Sequence, residues 1–536
     1  MLQPVGFRSC LSQTPRLKPV LLVVVRKLNL ARRAFKMGGG FSKPERRAPL
    51  LGKIGKMKTS LSDSAIQSAL RILDGPSAAF ARRYPGETGR RQPVHVVYGG
   101  AHLFRAGISK RLGDVAIATL AEFAPDAFTF ARAVGLPGAG GLPKSGKKGA
   151  AAERQFAKSP EKLRHENRAA WMALTIYKRV LEKLQREPVE DFRIDFEDGY
   201  GNRPDAEEDQ HAKLAAEEVA KGMSEGTLPP FIGIRLKPFS PEMRDRSIRT
   251  LNLFVSSLCE AAHGRFPANF VVTLPKVVIP EQMAALAHLL DAMEPALGLE
   301  KGSLRFEMMV ETTQAILNDH GESSLPGFLA ASGGRCIAAH FGTYDYTASC
   351  SITAAYQVMD HPACDFAKHM MQVAFAGTGI WLSDGATNVL PTPPHRAEKG
   401  KRLSRGQQEE NREAVHRAWR LHYGHIQHSL ISAYYQGWDL HPAQLPTRYA
   451  AVFSFFLEGL DSAAARLKNF VEKAAKATLV GDVFDDAATG QGLLNFFLRA
   501  INCGAISEAE AERLTGVTTE ELHSGSFLKI LKNRTK

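Results

Sequence analysis

Eight short apolar runs rich in β-branched residues, separated by longer amphipathic stretches, are the feature that most limits how this chain can fold. The runs are 94–98, 192–196, 231–236, 270–275, 304–310, 337–341, 379–382 and 438–440. Alternation of this kind is typical of repeated β-α units, and eight such units are the number that closes a (β/α)8 TIM barrel. An open doubly wound sheet is the competing α/β architecture. We therefore predict an α/β fold of the (β/α)8 barrel type.

The spacing of the runs also predicts how the barrel is decorated. The first crossover is long and contains an insertion at about 135–165, part of which is rich in glycine and lysine. A second insertion, at 386–436, precedes the eighth strand. We expect the barrel to occupy residues 57–445, and residues 446–536 to form a helical lid or subdomain.

The positive charge of the chain is concentrated at its start. Of the formal net charge of +14, residues 1–56 supply most, with 13 Lys or Arg and one acid, Glu45. We interpret this segment as a disordered leader, with a mitochondrial transit segment as the alternative. The remainder is nearly neutral and gives no reason to expect a nucleic-acid partner.

Compartment and membrane class follow from two further observations. No apolar run reaches the roughly 18 residues that a membrane span requires. The six cysteines show no metal-ligand spacing, as expected for a reduced cytoplasmic protein. A mitochondrial location is the alternative if the leader is a transit segment.

Two acids, Glu311 and Asp345, lie at the ends of the fifth and sixth runs: Glu311 follows the fifth run directly, and Asp345 comes four positions after the last residue of the sixth. A carboxylate at the end of a buried strand is costly unless water or a cation meets it. The carboxyl ends of barrel strands gather at one mouth, and oxygen ligands suit a hard cation. Alternatively, one or both acids could simply begin the helices that follow.

The other strand ends are also polar. They supply Asp195, Glu197 and Asp198 at the end of strand two, Arg235 on strand three, Lys276 after strand four, Asp384 after strand seven, and Asp439 and His441 at the end of strand eight. Together these residues predict a ring of acids around at least one arginine at the mouth of the barrel, which is a candidate active site.

In this order the motifs resemble those of the citrate lyase β-subunit/malyl-CoA lyase group. That group lies within the phosphoenolpyruvate/pyruvate-binding barrels, which also include malate synthase. The matching segments are Asp195-Phe196-Glu197-Asp198, Gly233-Ile234-Arg235, Leu274-Pro275-Lys276, Val310-Glu311-Thr312, Gly342-Thr343-Tyr344-Asp345, Gly437 to Gln444 with His441-Pro442, and Gly481 to Asp485. Tyr344 replaces a usual acid, and the insertion before strand eight is longer than usual, which indicates an outlying subfamily.

The resemblance implies roles for these residues. Glu311 and Asp345 would bind Mg²⁺, or Mn²⁺ in its place, and Arg235 would bind the substrate carboxylate. Asp485, in the lid motif, would act as acid and base. Lys276 would either serve the substrate or neutralise the acids around it. Further substrate-binding residues would be Asp195, Glu197, Asp198 and His441.

The implied activity is that of a carbon–carbon lyase or aldolase that acts through the enolate of a 2-oxo acid or an acyl-CoA. Its partners would be a small 2-oxo acid, a CoA thioester if CoA is used, and further copies of the chain in a homo-oligomer. Two alternatives stay open. One is a phosphoenolpyruvate- or pyruvate-utilising enzyme of the same superfamily, and the other is a barrel that binds ligand without catalysis.

Overall fold

The computed structural model describes the backbone of residues 60–86, 90–143, 147–398, 400–472, 478–480, 483–485 and 487–534. The predicted leader, residues 1–56, lies outside them. The chain divides into two compact units, Met1–Asp74 and Gly75–Lys536. Helix α1 (Asp63–Arg83) crosses the boundary between them. All the residues predicted to form the site belong to the second unit.

The second unit is built on a closed barrel of eight parallel strands. They are β1 (His95–Gly100), β2 (Asp191–Asp195), β3 (Phe231–Arg235), β4 (Phe270–Leu274), β5 (Arg305–Val310), β6 (Cys336–Phe341), β7 (Trp381–Ala386) and β8 (Gln436–Asp439). Each strand pairs with the next along the chain, and β8 pairs with β1. The closed sheet confirms the predicted (β/α)8 barrel over the open doubly wound alternative.

Helices make the connections, as the amphipathic stretches predicted. In its described part, the long first crossover holds α2 (Ile108–Phe123), α3 (Ala127–Val134), α4 (Lys147–Lys158), α5 (Pro160–Glu166) and α6 (Arg168–Arg186). Later crossovers hold α7 (Asp205–Glu225), α8 (Arg244–Ala261), α9 (Pro280–Ala296), α10 (Thr313–Ile316), α11 (Leu325–Ala331), α12 (Thr343–Ser349), α13 (Pro362–Phe375) and α14 (Arg405–Ile431).

The segment before β8 is in large part the single helix α14. It begins at a reciprocal cap: Ser404 Oγ accepts a hydrogen bond from the Gln407 backbone N–H, and the Gln407 side chain accepts one from the backbone N–H of Ser404. This arrangement satisfies two backbone donors that a helix start otherwise leaves unpaired. The sequence therefore fixes where this helix starts.

The region after β8 is mostly helical, as predicted. It contains α15 (Leu445–Glu472), a short antiparallel pair of strands β9 (Thr478–Val480) and β10 (Val483–Asp485), α16 (Ala487–Asn502), α17 (Glu508–Thr515), α18 (Thr519–His523) and α19 (Phe527–Arg534). The apolar run 451–457 is a buried part of α15. Within the described ranges, none of the helices combines the length and the apolar character that a membrane crossing needs.

Strand β7 differs most from its predicted bounds. The predicted run was 379–382, whereas the strand covers Trp381–Ala386. Gly377 and Gly379 have φ of 74° and 80°, a conformation that favours glycine and breaks a strand. The turn therefore occupies the start of the predicted run, and the strand continues past its end.

Alternation along the strands decides which side chains enter the barrel. Arg193 Nε on β2 lies 2.8 Å from Glu307 Oε1 on β5, and these strands are not neighbours. Both side chains must therefore cross the interior. Side chains two and four positions further along a strand point to the same face, which directs Asp195 and Glu311 into the carboxyl-end mouth.

Candidate active site

An ion pair between neighbouring strands forms the base of the site. Arg235 Nε donates to Asp195 Oδ1 at 2.7 Å, and Nη2 donates to Oδ2 at 2.5 Å. The register places Asp195 directly beside Arg235. Both side chains are almost fully buried. Asp195 also accepts hydrogen bonds from the backbone N–H groups of Glu197 and Gly199. A bidentate pair of this kind fixes the orientation of the guanidinium.

Two aromatic rings hold the same guanidinium. The Arg235 Cζ atom lies 4.7 Å from the ring centroid of Tyr98 and 5.5 Å from that of Trp438. Such contacts are favourable for a cation and strongest where water is excluded. Although burial opposes ionisation of Asp195, the charge and hydrogen bonds of Arg235 lower the pKa of Asp195 overall. The pair is therefore charged and rigid.

Glu197 connects this pair to Lys276. The Lys276 ammonium donates to Glu197 Oε1 at 2.6 Å, and Glu197 Oε2 lies 3.1 Å from Arg235 Nη1. That Oε2 atom is buried, and its geometry toward Arg235 does not make a hydrogen bond. Lys276 has a φ of 51°, an uncommon conformation for a residue with a side chain and one that clusters at functional sites.

Glu311 and Asp345, the predicted metal ligands, are brought together. Glu311 is 1% exposed, and the Asp345 carboxyl group lies close enough to contribute to raising the pKa of Glu311. It also accepts from the backbone N–H of Lys276 at 3.3 Å. Asp345 is the more open of the two, with 47% of its side chain exposed, and lies 3.8 Å from the Lys276 ammonium. One acid is thus buried and the other faces the mouth.

The alternative role as helix-start acids holds for only one of the two. Asp345 does lie in the first turn of α12. Glu311 caps nothing, because the next residue, Thr312, provides the cap of α10 by accepting from the Ala315 backbone N–H. A buried carboxylate without a capping role needs another partner.

The charge balance around Glu311 favours a bound cation. Burial raises the pKa of Glu311 well above its ordinary value; the Glu197 and Asp345 carboxylates raise it further, while Lys276 opposes the change. Burial likewise raises the pKa of Glu197, and Asp198 adds to this against Arg235 and Lys276. Like charges held this close are ionised together only when a cation neutralises them.

Magnesium fits this donor set. Among the residues that the structure describes, no three His, Cys, Asp or Glu side chains converge as a metal cage. Mg²⁺ does not need one, because it usually keeps several waters and takes only one or two protein carboxylates together with substrate oxygens. Glu311 and Asp345 would be those two carboxylates.

The remaining predicted residues are placed less centrally. Asp198 Oδ2 lies 3.5 Å from Arg235 Nη1, and its side chain is 63% exposed. His441 precedes the 3₁₀ turn Pro442–Gln444, where its Nδ1 accepts from the Ala443 backbone N–H. Asp485 ends β10, but its side chain lies outside the described residues. Its role as acid and base stays a prediction.

Two acids of the predicted ring are not at the mouth. Asp439 accepts from Arg448 Nη2 at 2.8 Å and lies 3.1 Å from both His95 Nδ1 and His422 Nε2. It lies one position beyond Trp438, whose side chain points inward, so alternation turns Asp439 outward toward the helices.

Asp384 is also engaged on the helical side of the sheet. It accepts from Lys368 Nζ on α13 at 3.2 Å and from Ser429 Oγ on α14 at 2.6 Å. The expectation that these two acids belong to the ring was therefore wrong. They hold helices against the barrel.

A second layer of polar side chains lies beneath the mouth, and the sequence analysis did not predict it. Glu307 accepts from Arg193 and lies 3.1 Å from His340 Nε2. The Nδ1 atom of His340 is 3.5 Å from the hydroxyl of Tyr98, whose ring packs on Arg235. The sequence did contain a signal for this layer, because Arg193 and Glu307 are charged residues inside the apolar runs 192–196 and 304–310. A charged residue at a buried run is also what drew attention to Glu311.

Comparison with known proteins adds a family and several similar folds. A family model described as "Domain of unknown function (DUF6986)" matches residues 73–530. No curated protein matches the chain. A citrate lyase from Burkholderia xenovorans LB400 is similar at 22% identity over 63% of this chain and 92% of that chain, with a TM-score of 0.46.

Two further solved structures are less similar. The malate synthase of Haloferax volcanii, as its lead(II) complex, has 14% identity over 67% of this chain and 92% of that one, with a TM-score of 0.38. The CitE protein of Mycobacterium tuberculosis, in complex with magnesium, acetoacetate and coenzyme A, has 12% identity over 61% of this chain and 95% of that one, with a TM-score of 0.37. At these values, the activity of this chain has to be inferred from its own side chains.

Proposed function

Because the chain belongs to the DUF6986 family, whose description gives no activity, we propose a function from the side chains at the mouth of its barrel. The protein is a magnesium-dependent carbon–carbon lyase of the aldolase type. It acts through the enolate of a small 2-oxo acid or of an acyl-CoA, and Mn²⁺ can replace Mg²⁺.

The buried carboxyl group of Glu311 supports this proposal most directly. It accepts a hydrogen bond from the backbone N–H of Lys276. The carboxylates of Glu197 and Asp345 lie close enough to raise its pKa. A structural acid in a protein core is normally paired with a cation in good geometry. Here the nearest ammonium, that of Lys276, is bonded to Glu197 instead. The arrangement is that of a cation site open toward the mouth.

A bound magnesium ion supplies Lewis-acid stabilisation of the negative charge that develops on a carbonyl oxygen. The chain's own cations would orient the substrate carboxylate. Arg235 makes its tightest contacts through Nε and Nη2, whereas its Nη1 contacts to Glu197 and Asp198 are longer, at 3.1 and 3.5 Å. The carboxylate would bind at Nη1 and at the ammonium of Lys276, which is 31% exposed.

The protein's interior keeps that binding edge in one place. Tyr98 and Trp438 pack against the guanidinium of Arg235, and Asp195 accepts hydrogen bonds from its Nε and Nη2. Preorganised charges are worth more in a site that excludes water, because they do not reorganise when charge develops. The proton would be moved by Asp485 or by a water bound to Glu197.

Enolisation itself can be tested without the second substrate. The methyl protons of pyruvate exchange with solvent deuterium when the enolate forms. We expect the protein with Mg²⁺ in D₂O to accelerate the loss of the pyruvate methyl signal in proton NMR. Addition of EDTA should remove that acceleration. Acetyl-CoA and longer 2-oxo acids are tested in the same way, and together with pyruvate they form the panel of candidate substrates.

Glu311→Gln and Asp345→Asn are the informative variants, because each keeps the side-chain shape and removes a metal-binding charge. Both should reduce the exchange rate to the protein-free background, whereas Glu300→Gln, a charge removed from the opposite end of the barrel, should leave it unchanged. Exchange that persists in both site variants would contradict the proposal. Tight, magnesium-dependent binding of the panel without exchange would identify the chain as a ligand-binding barrel.

A further inference from the structure

The charged groups that the structure brings together in the candidate active site come from one side of the barrel mouth. They lie at the ends of strands β2 to β6 and are Asp195, Arg235, Lys276, Glu311 and Asp345. Strands β7, β8 and β1 complete the closed ring between Asp345 and Asp195. The segments that follow β7 and β8 therefore form the other side of the mouth, where the remainder of a bound substrate lies.

Those two segments carry almost no charge. Residues 385–392, at the end of β7, and residues 437–444, at the end of β8, contain a single acidic or basic side chain apart from histidine, that of Asp439. It is turned outward and paired with Arg448. Burial lowers the pKa of His441, so its imidazole is neutral at pH 7. A second carboxylate on a substrate would find no cation in either segment.

Exposed apolar side chains occupy these segments instead. Val389, Leu390 and Leu440 are 47%, 36% and 39% exposed. Leu440 lies two positions beyond Trp438, and alternation puts both on the same face of β8. The ring centroid of Trp438 is 5.5 Å from Arg235 Cζ. This face of β8 therefore leads from the arginine that would bind the substrate carboxylate to the apolar side of the mouth.

One side chain, that of Gln444, holds the two apolar segments together. Its Oε1 accepts from the Leu440 backbone N–H at 2.8 Å, and its Nε2 donates to the Thr387 carbonyl oxygen at 2.9 Å. Thr387 lies two positions before Val389. Leu440 and Val389 thus belong to one connected wall, which we call the apolar wall.

Tyr344 fixes the same wall beside the proposed metal ligands. Its hydroxyl donates to the Ala386 carbonyl oxygen at 2.6 Å and accepts from the Asn388 backbone N–H at 3.0 Å. Tyr344 immediately precedes Asp345. The tyrosine that replaces a usual acid therefore ties the loop after β7 to the helix that carries a metal ligand.

We propose that the substrate is a 2-oxo acid whose substituent beyond the carbonyl group is apolar, an inference that rests on the function proposed above. The carboxylate binds at Arg235, and the substituent packs against Leu440 and Val389 on the apolar wall. An apolar group gains free energy by leaving water at such a wall. A carboxylate in the same place would lose hydration without gaining a cation.

A matched pair of ligands tests the proposal. 5-Methyl-2-oxohexanoate is 2-oxoglutarate with an isopropyl group in place of the distal carboxylate. In calorimetric titrations of the Mg²⁺-loaded full chain, we expect 5-methyl-2-oxohexanoate to bind about ten-fold or more tightly than 2-oxoglutarate. Leu440→Lys, which adds an ammonium to the wall, should reverse that preference, and Val389→Lys should reduce it. Leu421→Lys, at a leucine of 40% exposure on α14, is the matched control and should keep the wild-type preference.

Two results would overturn the proposal: equal or tighter binding of 2-oxoglutarate by the wild type, or an unchanged preference in both Leu440→Lys and Val389→Lys. The exchange assay with pyruvate separates this failure from failure of the proposed function, because the methyl group of pyruvate carries no further substituent. Magnesium-dependent exchange of pyruvate without a preference for the apolar ligand would overturn the substrate class alone. Absence of exchange with both pyruvate and 5-methyl-2-oxohexanoate would overturn the proposed function and this substrate class with it.

Discussion

Gly342 lies directly against Glu311: a Cβ atom on Gly342 would stand 2.5 Å from Cγ and 3.0 Å from Cδ of the glutamate. The φ of Gly342 is −98°, which any residue can adopt. Contact, rather than backbone conformation, therefore requires a glycine. We predict that Gly342→Ala displaces the Glu311 carboxylate and weakens Mg²⁺ binding about 10- to 100-fold, measured by calorimetry.

Gly424 provides the matched control for that substitution. It lies inside helix α14, and nothing is within 4 Å of a Cβ built there. Gly424→Ala should leave Mg²⁺ affinity unchanged and stabilise the fold by about 0.5 to 1 kcal/mol, since alanine is the better helix former. Equal Mg²⁺ affinity in Gly342→Ala and Gly424→Ala would contradict the proposed role of Glu311.

The buried layer beneath the mouth predicts a stability effect. Glu307 is almost fully buried and compensates the charge of Arg193. Glu307→Gln should lower the free energy of unfolding by about 1.5 to 3 kcal/mol, because it removes one of the two carboxylates, Glu307 and Asp191, that pair with the buried arginine. Urea denaturation measures this change. Glu300→Gln, on the exposed surface, should change it by no more than about 0.5 kcal/mol.

The raised pKa of Glu311 predicts how pH acts on the apo protein. Its folded state keeps a proton at pH values where the unfolded chain, with an ordinary pKa of 4.5, has lost it. The stability that this group contributes is therefore present at low pH and lost as pH rises from about 4.5 through the raised folded value. The Tm of the apo protein should fall across that window, and Glu311→Gln should flatten the fall.

Magnesium should reverse that trend, because Mg²⁺ binds the carboxylate and competes with the proton. The increase in Tm on adding Mg²⁺ should therefore grow as pH rises through the same window. A Mg²⁺ effect on Tm that is constant with pH, or that shrinks as pH rises, would argue against Glu311 as a ligand.

Lys276 is expected to act on substrate rather than on the fold. Its ammonium bonds to Glu197 and faces the mouth near Asp345. Lys276→Met should weaken binding of pyruvate about ten-fold or more by removing a charge-assisted hydrogen bond. Lys301→Met, at an exposed position by the amino end of the barrel, should leave pyruvate binding unchanged. Titration of the Mg²⁺-loaded protein with pyruvate distinguishes the two.

Much of the fold could be predicted from the sequence, because strands of a parallel barrel are buried on both faces and read as nearly continuous apolar runs. Seven of the eight predicted runs match their strands closely. The seventh is displaced because Gly379, at the predicted start of the strand, has a positive φ and belongs to a turn. The composition of the run does not reveal this turn.

The site was predictable wherever a motif fixed the direction of a side chain. Asp195 and Arg235 lie on strands, and Glu311 directly follows one, and the alternation of those strands points all three inward. Asp384 and Asp439 are acids at similar positions of their strands, but they face the helices. That difference depends on strand bounds to within one residue, which a single sequence does not provide.

The central claim is that Glu311 and Asp345 together bind one divalent cation. Titration with Mn²⁺, followed by the loss of the free-ion signal in electron paramagnetic resonance, tests it most directly. The wild-type chain should bind a single Mn²⁺ that Mg²⁺ displaces, and Glu311→Gln and Asp345→Asn should each weaken that binding about ten-fold or more. Binding of the same strength in the wild type and both variants would contradict the claim.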